Sequence, residues 1–256
     1  MIKSTNSKIG LIYQPCGLGD ILFLQKLAHH IKSQGYEVYW PVVHEFKWLS
    51  DYIPEFNWVS WDDIDVKITG PPLPDRVKFP HKEYYLPENR TTITDDFYFF
   101  QGFLPCHPIM SGKYNSIGLD WSDWRDYIKW TRYIEKENKL FYDVLGLQDG
   151  QEYVLVNRTF ATRPYLHFFE HIPNTEEHYG CKVVELSILD GYSLFDWFKV
   201  FYHAKEIHMI ETSVNFFLEV PELYNIISKK KLCLYHRPWG SWSEIDYLFN
   251  LPWQYN

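Results

Sequence analysis

At 256 residues the chain is long enough for one large domain or for two of about 100–150 residues each. Hydrophobic residues make up 46 %, enough for a substantial core, and a net charge of −8 argues against nucleic acid, which demands a basic face. Cys16, Cys106, Cys181 and Cys233 show no zinc spacing, the first residues carry no signal peptide, and no run approaches the roughly 20 apolar residues of a membrane span. The expectation is a cytoplasmic protein with free thiols and no transmembrane segment. Aromatics reach 19 %, with 11 Trp and 20 Tyr, more than a core of this size needs, and aromatic-lined clefts suit sugars and nucleobases.

The apolar run Ile9-Gly10-Leu11-Ile12-Tyr13 reads as a strand. Gln14-Pro15-Cys16-Gly17-Leu18-Gly19-Asp20 follows as a glycine-rich turn opening a helix, whose Leu24, Leu27, Ala28 and Ile31 keep helical spacing up to a stop at Gln34-Gly35. Glu37–Val43 is a second strand with Pro41 near its end, His44–Tyr52 a short helix, and Asn57–Trp61 a third strand. This β-α-β-α-β order predicts parallel pairing in a doubly wound sheet. A turn-rich break at Thr69–Pro74, a strand within Asp95–Phe103 and an interrupted amphipathic helix over Trp121–Leu145 come next. A second α/β half then runs through strands at Tyr153–Asn157, Cys181–Leu186, Glu206–Ile210 and Lys231–Tyr235. Its helices fall at Phe195–His203, after Ser193 as N-cap, at Val214–Val220, and at Ser243–Phe249. The fold class is therefore α/β, with two Rossmann-like doubly wound domains, 1–140 and 141–256, facing each other across a cleft in a compact arrangement.

Three strand ends carry candidate chemistry. Gly17 and Gly19 form a turn that lets a ligand approach backbone N–H groups, and Asp20 beside them is either a helix cap or a general base. A third dinucleotide-fingerprint glycine is absent, Leu22 standing there, which weakens a nicotinamide-dependent reading. Glu211-Thr212-Ser213 ends one strand and starts a helix, where hydroxyls and N–H groups suit phosphate and an acid suits ribose hydroxyls. Arg158 and Arg163 flank Thr159 after another strand, and they either pair with acids on the surface or use their forks to clamp a diphosphate. The acidic pairs Asp62-Asp63 and Asp95-Asp96, and His167 with His171, lack a completed ligand shell, so no metal is assigned.

Together these segments, Lys8–Trp61 and Gln151–Val220, resemble the two-domain GT-B glycosyltransferases, and the bacterial heptosyltransferase family in particular. The resemblance implies that Gly19-Asp20 supplies the catalytic carboxylate on the acceptor side, beside Gly17. It implies that Arg158, Thr159 and Arg163 contact the donor diphosphate, and that Glu211, Thr212 and Ser213 stand where the family's Asp-Thr-Gly holds the nucleotide. Phe216 stands where that family usually has a histidine. The implied activity is hexosyl or heptosyl transfer from a nucleotide-diphosphate sugar to a glycan or other hydroxyl acceptor, with inversion and without a metal or cofactor. The competing readings are a non-catalytic nucleotide- or glycan-binding module on the same fold and a nicotinamide-dependent oxidoreductase.

Overall fold

The computed structural model describes residues 8–61, 65–68, 74–79, 82–85, 91–93, 95, 97–102, 109–162, 165–237 and 245–256. Arg163, Asp62, Asp63, Asp96 and the start of the expected closing helix at Ser243 lie outside them. The chain divides into two compact units, 1–131 and 132–256, where the sequence-based division falls at 140/141.

In the first unit β1 (Lys8–Tyr13) leads into α1 (Leu18–Phe23) and α2 (Gln25–Ser33), then β2 (Tyr36–Val42), α3 (Leu49–Tyr52) and β3 (Asn57–Ser60). β4 (Asp65–Ile68), β5 (Pro74–Phe79) and β6 (Lys82–Tyr85) make a separate antiparallel sheet, unforeseen in the sequence. β7 (Thr91–Ile93), β8 (Phe97–Gln101) and α4 (Ile109–Asn115) complete the described elements up to the 3-10 turn at Trp124–Tyr127. The main sheet runs β3-β2-β1-β8-β7, parallel except for β7. Pro41 is tolerated inside β2 because the ladder to β1 reaches only Tyr39, and beyond it β2 pairs with β3 alone. Gly10 is demanded by packing, since a Cβ there would lie 2.5 Å from Cγ2 of Ile31 on α2. The sheet buries Leu11, Tyr13, Tyr39, Phe97 and Phe99 in one cluster.

The second unit begins with α5 (Ile134–Asn138), which runs on into a π-helical turn at Lys139–Val144. β9 (Tyr153–Asn157) is followed by a hairpin of β10 (Thr159–Thr162) and β11 (Tyr165–Phe168). α6 (Glu176–Tyr179), β12 (Lys182–Glu185), α7 (Phe198–His203), β13 (Glu206–Ile210), α8 (Ser213–Leu218), α9 (Pro221–Ile227), β14 (Lys231–Tyr235) and β15 (Gln254–Tyr255) follow. The sheet order β12-β9-β13-β14-β15 is parallel throughout. Both units thus contain open parallel α/β sheets of the Rossmann-like kind, as expected. The interrupted helix expected over Trp121–Leu145 is a 3-10 turn, an extended stretch, then α5 and its π-helical continuation. The chain is held extended there because Thr131 donates its N–H to the Tyr52 carbonyl, 2.7 Å away. In the described part of the expected closing helix, residues 245–249, Asp246–Leu248 form a 3-10 turn. Among the described residues no helix is long and apolar enough to cross a membrane.

A buried acid fastens the end of the chain. Glu219, fully buried after α8, accepts the N–H groups of Asn250 at 2.9 Å and Leu251 at 2.8 Å. Glu219→Gln keeps an acceptor but loses the charge, and charged acceptors bond about twice as strongly as neutral ones. The expected cost is about 1 kcal/mol, read as a fall in Tm of about 2–4 °C by calorimetry.

His208 in β13 gives the fold an acid-side weakness. It is 4 % exposed, with Nδ1 3.3 Å from the Tyr235 hydroxyl and Nε2 3.4 Å from Glu206, and its ring lies 5.0 Å from that of Tyr179. Burial lowers its pKa, Lys231 and His178 act in the same direction, and Glu206 opposes them. The folded state therefore holds a neutral imidazole where the unfolded chain takes up a proton near pH 6.5. The stability this confers is present above pH 6.5 and is lost as pH falls. Urea titrations should show a falling ΔG below pH 6.5, bounded by about 1.4 kcal/mol per pH unit for one proton, and a shallower slope in His208→Asn.

Candidate functional site

Ligands of open parallel sheets sit beyond the carboxyl ends of the strands, where the strand order reverses. In the first unit that point lies between β1 and β8. The chain leaves β1 through Gln14 and turns at Gly17, whose φ of 81° is left-handed and where a Cβ would lie 2.4 Å from Oδ2 of Asp20. The glycine is thus required both by backbone conformation and by the approach of a carboxylate. Asp20 is no cap: Gly17 occupies the N-cap of α1, and Asp20 is the acid of the first helical turn, with Gly19 buried beside it. Its Oδ1 accepts a hydrogen bond from the ammonium of Lys113 on α4. Lys113 is only 2 % exposed, whereas the Asp20 side chain is 31 % exposed, so the lysine fixes from behind a carboxylate that solvent still reaches.

Lys113 also donates to Oε1 of Gln14 at 3.1 Å, and Gln14 passes its own amide N–H to the Cys16 carbonyl at 2.6 Å. Gly102, just past β8, makes room for this side chain, since a Cβ there would meet Oε1 of Gln14 at 2.4 Å. Trp40 donates its indole N–H to the Gln14 carbonyl at 3.0 Å. Gln14, Asp20 and Lys113 therefore form one bonded group at the reversal point. Gly17 and Asp20 are legible in the sequence as a glycine turn before a helix. Lys113 is not, because it comes from α4, a helix not foreseen in the sequence, 93 residues away in the chain.

In the second unit the reversal lies between β9 and β13. Asn157, 1 % exposed at the end of β9, donates from Nδ2 to the Thr212 hydroxyl at 3.3 Å and accepts the Thr159 N–H at 3.3 Å. Thr212 and Asn215 cap α8 reciprocally: Oγ1 of Thr212 accepts from Val214 and Oδ1 of Asn215 accepts the Thr212 N–H at 2.7 Å. Thr159, Glu211, Thr212 and Ser213 thus gather at the ends of neighbouring strands. Arg158 turns its fork onto Glu185 at 3.0 and 2.6 Å and lies over the Phe168 ring.

The Glu211 carboxylate points inward rather than to solvent, its side chain being 1 % exposed. Burial pushes its pKa up to about 8, Asp246 adds to the rise, and Arg237 opposes it. Arg237 donates Nε–H to the Glu211 carbonyl at 2.7 Å and spreads over the Phe160 ring. Nδ1 of His236 stands 3.8 Å from Glu211, and its Nε2 stands 3.8 Å from Asp246. His236, Arg237 and Asp246 went unnoticed in the sequence. The first two directly follow β14, so the strand-end rule that singled out Glu211 points to them as well; Asp246 joins only through the fold.

No protein-family model and no curated protein matches the chain. Among solved structures it is similar to the glycosyl transferase family 9 protein of Veillonella parvula DSM 2008, at a TM-score of 0.47 and 8 % identity over 98 % of this chain and 88 % of that one.

Proposed function

We propose that the chain is a glycosyltransferase that moves a sugar from a nucleotide-diphosphate donor to an acceptor hydroxyl. The observation that carries the reading is the Gln14–Asp20–Lys113 group at the strand-order reversal of the first sheet. A partly exposed carboxylate locked by a buried ammonium is a positioned proton acceptor. In this reading Asp20 takes the proton of the acceptor hydroxyl as its oxygen bonds the anomeric carbon. The bond from that carbon to the diphosphate breaks in the same step, with inversion. In this reading Thr159, Thr212, Ser213 and Arg158, with Glu211, serve the donor, and Arg163 is assigned to it from the sequence alone. The arginines and hydroxyls take up the charge of the departing diphosphate, and no step calls on a metal.

A second reading has its own support: the Arg158 fork is engaged by Glu185, which leaves less positive charge for a diphosphate. That favours a module that binds a nucleotide or glycan without turnover. A thermal-shift series with UDP, GDP, ADP and NAD tests the nucleotide site. A diphosphate at 100 times its Kd adds about 2.7 kcal/mol, or about 5–10 °C in Tm for a protein of this size, and NAD should add less. Sugar transfer or donor hydrolysis accompanying that shift supports the enzyme; a shift without either supports the module. No response to any nucleotide overturns the enzyme and the nucleotide-binding module alike.

A further inference from the structure

The buried group behind β13 and β14 holds more unsatisfied polar atoms than its neighbours explain. Both carboxylate oxygens of Glu211, Nδ1 of His236 and Oδ1 of Asp246 are sealed from solvent without a hydrogen-bond partner. Such atoms are costly when nothing answers them, and four in one place call for a ligand. One ligand atom from each of the three residues lies within 4.8 Å of the others. Nδ1 of His236 stands 3.8 Å from Glu211, too long for a hydrogen bond and near the roughly 3.3 Å between ligands that follows from metal bonds of about 2.0–2.1 Å in a tetrahedral shell. The 3.8 Å contact to Asp246 comes from the opposite ring nitrogen, and a single ion takes only one of the two.

We propose that Glu211, His236 and Asp246 bind one first-row divalent cation of the zinc or manganese class. One imidazole and two carboxylates are a mixed nitrogen and oxygen set: the imidazole disfavours calcium and magnesium, and the lack of thiolate disfavours copper(I). Once the ion displaces the Glu211 proton, two carboxylates and a neutral imidazole bring a charge of −2, which a divalent ion neutralises. Arg237 beside Glu211 adds one positive charge, which limits affinity, and donates its Nε–H to the Glu211 backbone carbonyl at 2.7 Å. The His236 side chain is 34 % and that of Asp246 23 % exposed, so the ion enters from their side while Glu211 forms the floor. His236 is held in plane against Tyr255, the rings 8° apart at 5.5 Å, which fixes the direction of its nitrogens. Glu211 is fixed in turn by its N–H bond to the Tyr235 carbonyl at 3.1 Å. The ion would tie the ends of β13 and β14 to the turn at Asp246–Leu248. The proposal stands apart from the transfer chemistry and does not depend on it.

The test uses the full chain, stripped with a chelator and titrated with Zn²⁺, Mn²⁺ and Co²⁺ by calorimetry, thermal shift and, for Co²⁺, visible absorption. One ion per chain, a raised Tm and cobalt bands of a nitrogen- and oxygen-ligated site are expected. His236→Gln and Asp246→Asn should each weaken binding at least about 100-fold, beyond what loss of a mere supporting contact gives. Asp246→Asn alters a partly exposed residue and keeps the test open if a Glu211 variant fails to fold. Absence of stoichiometric binding, thiolate-type cobalt bands, or unchanged affinity in both variants would overturn the proposal.

Discussion

Lys113→Met should lower stability by about 2–3 kcal/mol, seen as a fall in Tm of about 5–10 °C. The methionine keeps most of the stem's volume in a position that is 2 % exposed, so packing changes little. What is lost is the ammonium, and with it the bonds to Asp20 and to Oε1 of Gln14. Gln14 is 2 % exposed, so its oxygen is left buried without that donor, a cost of about 1–3 kcal/mol. Asp20 is 31 % exposed and recovers part of its loss from water, which keeps the total at the low end for a broken buried pair. The double variant Lys113→Met with Asp20→Asn isolates the pair: its cost should fall short of the sum of the single variants by about 1 kcal/mol or more. Strict additivity, measured by urea unfolding, would mean that the ion pair does not hold the turn.

The parts of the fold that were legible share a physical cause. β9, β13 and β14 match their expected ranges to the residue, because strands buried on both faces of a parallel sheet read as predominantly apolar runs, even with His208 inside β13. Ser193 capping its turn and Gly35 at a φ of 86° are local signals that need no tertiary context. The β10–β11 hairpin was missed because its pairing crosses a segment mixing Arg158, Thr159 and His167, with no clean alternation to announce it. The Trp121–Leu145 stretch has helical spacing, but the bond from Thr131 to Tyr52 wins over local preference. The sites follow the same division. Gly17, Asp20, Glu211 and Thr212 stand at strand-to-helix turns and are visible as such, whereas Lys113 and Asp246 reach their partners only through the fold.

Asp20→Asn should reduce sugar transfer by about 10²–10⁴-fold while leaving affinity for the nucleotide diphosphate unchanged. The substitution is nearly isosteric and keeps an oxygen to accept from Lys113, so the geometry of the turn survives. What it removes is the basic lone pair. On the proposed base role, with Oδ1 engaged by Lys113, the proton of the acceptor would go to Oδ2, the oxygen that approaches Gly17. That is why a residue with a side chain at position 17 should harm the reaction as well as the fold: its Cβ would contest the space of the reacting oxygen. Single-turnover assays well below the variant's Tm separate lost chemistry from lost protein, and calorimetric titration with the diphosphate tests whether the donor site is intact. A fall in turnover with unchanged donor affinity places the defect in proton transfer. Full turnover in Asp20→Asn would remove Asp20 as the base, and the Gln14–Asp20–Lys113 group would then be a structural lock for the β1–α1 turn alone.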